Sequence, residues 1–76
     1  MHYLRSDLMI IKTEYITLGQ LMKFAGLAHS GGDIKYLLQE SEITVNGEDE
    51  NRRGKKLYPG DIIKIDNQVI TIKNDQ

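Results

Sequence analysis

Two helix-start signals, Thr17-Leu18-Gly19-Gln20 and Ser30-Gly31-Gly32-Asp33, follow each other closely and constrain this chain more than anything else in it. In the first, the Thr17 hydroxyl suits the amide three residues on and the Gln20 side chain suits the Thr17 N–H, a capping box. Leu18, Leu21, Met22 and Ala25 then recur at i, i+3, i+4 and i+7, one face of a helix, and Gly26 supplies a stop. In the second, Ser30 is the N-cap and Asp33 an acid in the first turn. Ile34, Leu37 and Leu38 point inward, and the helix is expected to end near Ser41. Helices this short do not persist alone in water, so both need an apolar surface to lie on. The short link Leu27-Ala28 makes them an αα-hairpin.

That surface is built from strands. Met9 to Tyr15 alternates loosely and predicts a strand over 9–15, with the residues before it a frayed extension. After Ser41 the pattern changes to period two: Ile43 to Val45, then Asn46-Gly47, the dipeptide that suits a type I′ hairpin. Asn51 to Lys56 is a polar, basic loop, and Pro59-Gly60 makes a turn. Ile62 to Ile65 and Val69 to Lys73 are strands joined at Asp66-Asn67-Gln68, and the tail from Asn74 is expected to fray. The order predicts an α+β fold, an αα-hairpin packed on a small, strongly bent, mostly antiparallel sheet. A single domain over 1–76 is expected, with a core motif at 17–61 and C-terminal strands at 62–73.

A chain of 76 residues buries only a small core, which argues against a deep enclosed active site. It has no cysteine, which excludes disulfides and thiolate chemistry and suits a reducing compartment. The opening MHYLRSDLMIIK has too short an apolar run for a secretory segment or a membrane span, so a cytoplasmic protein without membrane contact is expected. The net charge of -1 conceals a division. Glu40, Glu42, Glu48, Asp49 and Glu50 come without a base between them, whereas Arg52, Arg53, Lys55, Lys56 and Lys64 face Asp61 alone. Such a local positive segment attracts phosphate while the overall balance limits indiscriminate binding to polyanions.

Two features carry candidate chemistry. At Ser30, Gly31 and Gly32 a helix start offers unpaired amides and a positive dipole end, glycines keep side chains out of a ligand's way, and Lys35 adds a full charge. Asp33 opposes this, and plain capping by Ser30 in a flexible loop accounts for the same residues. Arg52-Arg53-Gly54-Lys55-Lys56 repel one another unless a polyanion or the upstream acids neutralise them; a phosphate backbone contacts several at once, and an exposed loop paired with Glu48, Asp49 and Glu50 is the competing reading. His29 suits a contact to RNA or an exposed loop position equally. His2 is its only possible companion, so no metal site is expected. Tyr15, Phe24 and Tyr58 are expected mainly in the core, with Tyr36 as the candidate stacking surface. No nucleophile elbow, P-loop or dinucleotide fingerprint occurs, so neither catalysis, nor a cofactor, nor a small-molecule substrate is expected.

The run TLGQLMKFAGLAHSGGDIKYLLQESEITVNGEDENRRGKKLYPGD, Thr17 to Asp61, resembles the S-four-type RNA-binding domain, named after a ribosomal small-subunit protein. Within it the chain is most similar to the small stand-alone bacterial YaaA/YbcJ-like branch, in which S-G-G, VNGE and RRGKKL occur together. The resemblance implies the alpha-L motif, RNA binding without catalysis, and a surface made of Lys23, His29, Ser30, Gly31, Gly32, Lys35, Arg52, Arg53, Lys55 and Lys56. It departs from the family where many members carry Arg-x-x-Ala-Arg; Gly32, Asp33 and Lys35 leave one base and one acid there, which shifts weight to the loop. The implied partner is structured RNA, ribosomal RNA first, with a link to the large ribosomal subunit and to ribosome assembly or function. A protein-interaction adaptor using its segregated acidic and basic patches is the alternative. What separates the two is whether the bases share one face with the Glu48 to Glu50 acids turned away.

Overall fold

In a computed structural model, residues 5–75 are described. They form β1 (Arg5–Ile11), β2 (Ile16–Thr17), α1 (Leu18–Phe24), α2 (Gly31–Glu40), β3 (Ile43–Val45), β4 (Glu48–Asp49), β5 (Lys56–Leu57), β6 (Ile62–Ile65) and β7 (Gln68–Asn74). The fold is α+β with a mixed sheet: β1-β7-β6-β3-β4, in which β1 runs parallel to β7 and the other pairs are antiparallel. A separate ribbon joins β2 and β5 antiparallel, Ile16 opposite Leu57 and Thr17 opposite Lys56. Among the described residues no helix is long and apolar enough to cross a membrane.

Local rules place both helices. Thr17 caps α1, its Oγ1 accepting from the Gln20 N–H at 3.2 Å while its own N–H donates to Gln20 Oε1 at 2.9 Å. The C-terminal end closes as a Schellman motif: the Gly26 N–H donates to the Lys23 carbonyl at 3.0 Å and the Leu27 N–H to that of Met22 at 2.9 Å. Gly26 takes φ +76°, which is why a glycine stands there. Ser30 caps α2, and Ser41 ends it. Asn46 and Gly47, at φ 53° and 86°, make the tight β3–β4 turn that the dipeptide predicts.

Period two sorts the sheet. Ile43, Val45, Ile63, Ile65, Ile70 and Ile72 are buried toward Leu18, Leu21, Met22 and Ile34 of the helices, and the intervening residues turn to the other, helix-free face. Among the described residues the buried core contains no aromatic side chain. Phe24, Tyr36 and Tyr58 are exposed and Tyr15 only half-buried, so the expected aromatic contribution to the core is corrected. The rings fall outside the inward-facing positions: Phe24 ends α1, and Tyr15 and Tyr58 stand beside β2 and β5, where they meet each other.

The ends of the chain depart most from expectation. The strand expected over 9–15 starts earlier, at Arg5, stops at Ile11, and resumes only for Ile16–Thr17 after a bend at 12–14. The supposed frayed extension at 5–8 is half of β1, paired along its length with β7 from Arg5 opposite Gln68 to Ile11 opposite Asn74. The tail is likewise ordered through Asp75, whose N–H donates to the Ile11 carbonyl at 3.0 Å. The remaining extension residues, 1–4, and the last tail residue, 76, lie outside the described residues, and with them His2, the only companion His29 could have had at a metal. Parallel pairing of the two chain ends has no local signature, because neither a turn nor a short periodic repeat connects them.

Candidate nucleic-acid interface

The basic loop is held on α1 by its own backbone. The carbonyl of Lys55 accepts from the Leu18 N–H, and that of Arg53 from the Gly19 N–H, both at 2.9 Å. These are the first two amides of α1, and Thr17 satisfies the third, so the start of α1 is fully used within the protein. The approach is made by the backbone and leaves ordinary van der Waals room at Gly19. A Cβ there would stand 3.4 Å from the Arg53 carbonyl oxygen and 3.7 Å from the Arg53 Cβ and Nε.

The same anchor aims the Arg53 side chain at the second helix. Its Nη1 and Nη2 lie 3.9 and 4.0 Å from where a Gly31 Cβ would be. Gly31, Gly32, Lys35, Leu38, Gln39, Asn51 and Arg53 line an open groove of about 510 Å³. At its head, the Ser30 Oγ accepts from the Asp33 N–H at 3.2 Å, and Asp33 Oδ2 accepts from the His29 N–H at 2.9 Å. The Asp33 carboxylate is thereby turned back onto the chain before the helix. The amides of Gly31 and Gly32 have no protein acceptor among the described residues. A guanidinium, an ammonium and two free amides at a positive dipole end thus border one hollow, a setting for an anion such as phosphate.

The other bases of the loop are engaged elsewhere. Arg52 reaches Glu50, with Nε to Oε2 at 2.9 Å, Nη2 to Oε1 at 3.1 Å and its backbone N–H to Oε2 at 3.1 Å. The Arg52 side-chain hydrogen bonds, helped by its backbone N–H and by the charges of Arg52 and Lys55, hold the Glu50 carboxyl at about 2 against an ordinary 4.5, burial working in the opposite direction. The same hydrogen bonds raise Arg52. The Lys56 ammonium stands 4.9 Å over the Tyr15 ring, which meets Tyr58 at 5.7 Å between centroids. Lys55 is half-buried. Lys23, His29 and Ser30 are exposed near the helix ends but do not line the groove.

The expected single wall of four bases is therefore divided: Arg53 joins Gly31, Gly32 and Lys35, while Arg52 and Lys56 are turned to Glu50 and Tyr15. Nor are the acids on a remote face. Glu42, Asp49 and Glu50 line a neighbouring groove that shares Leu38 and Asn51 with the basic one. Gly19, Gln39 and Asn51 were not singled out from the sequence. Gly19 had a readable signal, a poor helix former inside the first turn of a capped helix. Among the described residues no group of acids and histidines is arranged to hold a metal ion.

Two short helices over a mixed sheet, with a basic loop held against them, define a small α+β binding module, and comparison with known families specifies which: the S4 domain matches residues 9–73, so the chain belongs to the S4 domain family. A curated relative from Bacillus subtilis (strain 168), "Probable ribosome maturation protein RlbA", is 54% identical over 56 residues, 74% of this chain and 79% of the relative.

Proposed function

We propose that this protein binds structured RNA, ribosomal RNA first, and acts without catalysis in ribosome maturation. The observation that carries this reading is the Arg53 guanidinium beside the open amides of Gly31 and Gly32, with Lys35 on the same groove. A phosphate seated there receives charge-assisted hydrogen bonds from a planar fork and dipolar ones from the helix start. Lys23, His29, Ser30 and Lys55 flank this seat and are assigned to neighbouring phosphates or riboses. Arg52 and Lys56 join only by leaving Glu50 and Tyr15. The bases do not share one face and the acids lie close by, so this reading is favoured over the adaptor by the family and the relative's name, which support RNA and the ribosome as the setting.

Binding of the purified chain to ribosomal RNA and to isolated subunits across a salt series tests this. With Arg53, Lys35 and one or two flanking bases engaged, log affinity falls against log salt with a slope of about -2 to -3. Arg53→Glu lowers affinity at least about tenfold and flattens the slope by about 1, with the fold intact by circular dichroism. Affinity that is independent of both salt and Arg53 refutes the groove. Capture of a basic protein by the Glu42, Asp49 and Glu50 groove, in the absence of RNA binding, would establish the adaptor instead.

A further inference from the structure

Strand β1 is the edge of the main sheet, and among the described residues nothing pairs with its outer side. It is seven residues long and carries two large apolar side chains on the helix-free face, Leu8 at 64% exposure and Ile10 at 54%. Phe24, 63% exposed, borders the same strand on the helix side, lining one groove with Leu8 and Met9 and another with Ile10 and Ile11. Half of the exposed large hydrophobic residues among those described thus gather along one unpaired edge. Edges left open in soluble proteins are ordinarily blunted by an exposed charge or proline. Here Asp7 accepts from Gln68 Nε2 at 2.8 Å, β1 contains no proline, and the charges of Arg5 and Lys12 fall at the ends of the strand, with none between Leu8 and Ile10.

The backbone shows how such an edge is covered. The Ile11 carbonyl accepts from the Asp75 N–H beside β7, so the odd-numbered residues of β1 direct their N–H and C=O groups inward. Those of Ser6, Leu8 and Ile10 therefore point outward. A second β1 laid antiparallel about a two-fold axis at Met9 sets Leu8 opposite Ile10 of the other copy, and Ile10 opposite its Leu8. Both are hydrogen-bonded pairs, giving about four main-chain bonds from these residues alone. All four side chains fall on one face. Ser6 meets Lys12 and Asp7 meets Ile11, so no like charges face each other across the seam. Moving the axis to residue 8 or 10 keeps one like pair, Leu8 with Leu8 or Ile10 with Ile10, but sets Ile10 opposite Ser6, or Leu8 opposite Lys12, on either side of it.

We infer that β1 is a self-association edge at which two copies of this chain join antiparallel in this register, merging two five-stranded sheets into one of ten strands. The occupant is a second copy because the strand complements itself in both backbone and side chains, the closed, isologous solution to an open edge. The basic groove lies by α2 and adjoins the acidic groove on β3 and β4, at the other side of the sheet from β1, so the dimer carries two accessible grooves. The assignment does not depend on what the groove binds.

Sedimentation equilibrium of the purified chain tests it. A reversible dimer in the micromolar range is expected, as befits an interface at the small end of the size classes. Leu8→Pro removes only an outward N–H, so it abolishes the dimer while β1 stays paired with β7; the double change Leu8→Lys with Ile10→Lys does the same without proline. The wild-type chain lacks cysteine, so one introduced thiol reads the register. Met9→Cys sits at the axis, in a non-hydrogen-bonded pair with Cα atoms about 4.5 Å apart, and forms an intermolecular disulfide on mild oxidation. Tyr36→Cys, more exposed but on α2, does not. A monomer up to about 1 mM, a dimer that survives both edge variants, or cross-linking through Tyr36→Cys in preference to Met9→Cys overturns the inference.

Discussion

Replacing Glu50 with Gln isolates one interaction that shapes the basic loop. The carboxylate receives three hydrogen bonds from Arg52, one from its backbone and two from its guanidinium. Gln keeps an acceptor but loses the charge. The Arg52 side chain is 70% exposed, so its pairing is screened by water and contributes toward the lower end for a charged pair. With the charge-assisted backbone bond included, Glu50→Gln costs about 1 kcal/mol at pH 7. The pH dependence is the sharper reading. The folded carboxyl lies at about 2 against an ordinary 4.5, so protons bind the unfolded chain more readily and this stabilisation is complete above pH 4.5. It fades as pH falls toward 2. Urea unfolding of both proteins from pH 7 to pH 2 measures it. The midpoints are expected to differ by about 1 M at pH 7, for an m value near 1 kcal/mol/M, and to converge at the acid end. Because the other carboxylates are common to both proteins, their titration cancels in the difference. A gap that stays constant down to pH 2, or no gap at pH 7, refutes the account of the Arg52 pairing.

Two further outcomes follow from packing and backbone geometry. Leu57 is fully buried and ends the loop inside the core, so Leu57→Ala is expected to cost about 3 kcal/mol, lowering Tm by roughly 15 °C and weakening RNA binding by loosening Arg53. Gly26→Ala meets no atom within 4 Å but must hold φ +76°, so it loses about 1 kcal/mol, whereas Gly54→Ala, equally uncrowded and without a positive φ, leaves Tm unchanged; equal effects of the two would show that conformation is not the reason for Gly26.

Much of the two helices and their ends was written locally. Thr17, Gln20 and Ser30 act on amides within three residues of themselves, and Gly26 and Asn46-Gly47 satisfy backbone angles that only a few residue types tolerate. Alternating isoleucines marked β6 and β7 for the same reason, since side-chain direction along a strand follows from its covalent geometry. The basic run was equally plain as composition. Its division was not, because neighbouring residues of a loop have no common direction until something fixes them: the Gly19 N–H holds the Arg53 carbonyl, Glu50 takes Arg52 and Tyr15 takes Lys56.

The sequence by itself therefore determined the caps, the turns and the apolar faces of the two helices and of β3, β6 and β7, all of which depend on contacts spanning a few residues. Only the tertiary structure decided that the first strand pairs in parallel with the last, that a loop backbone occupies the start of α1, and that one arginine of two reaches the start of α2. Those arrangements depend on groups far apart along the chain, whose meeting is set by how the whole core closes and not by the preference of any short segment.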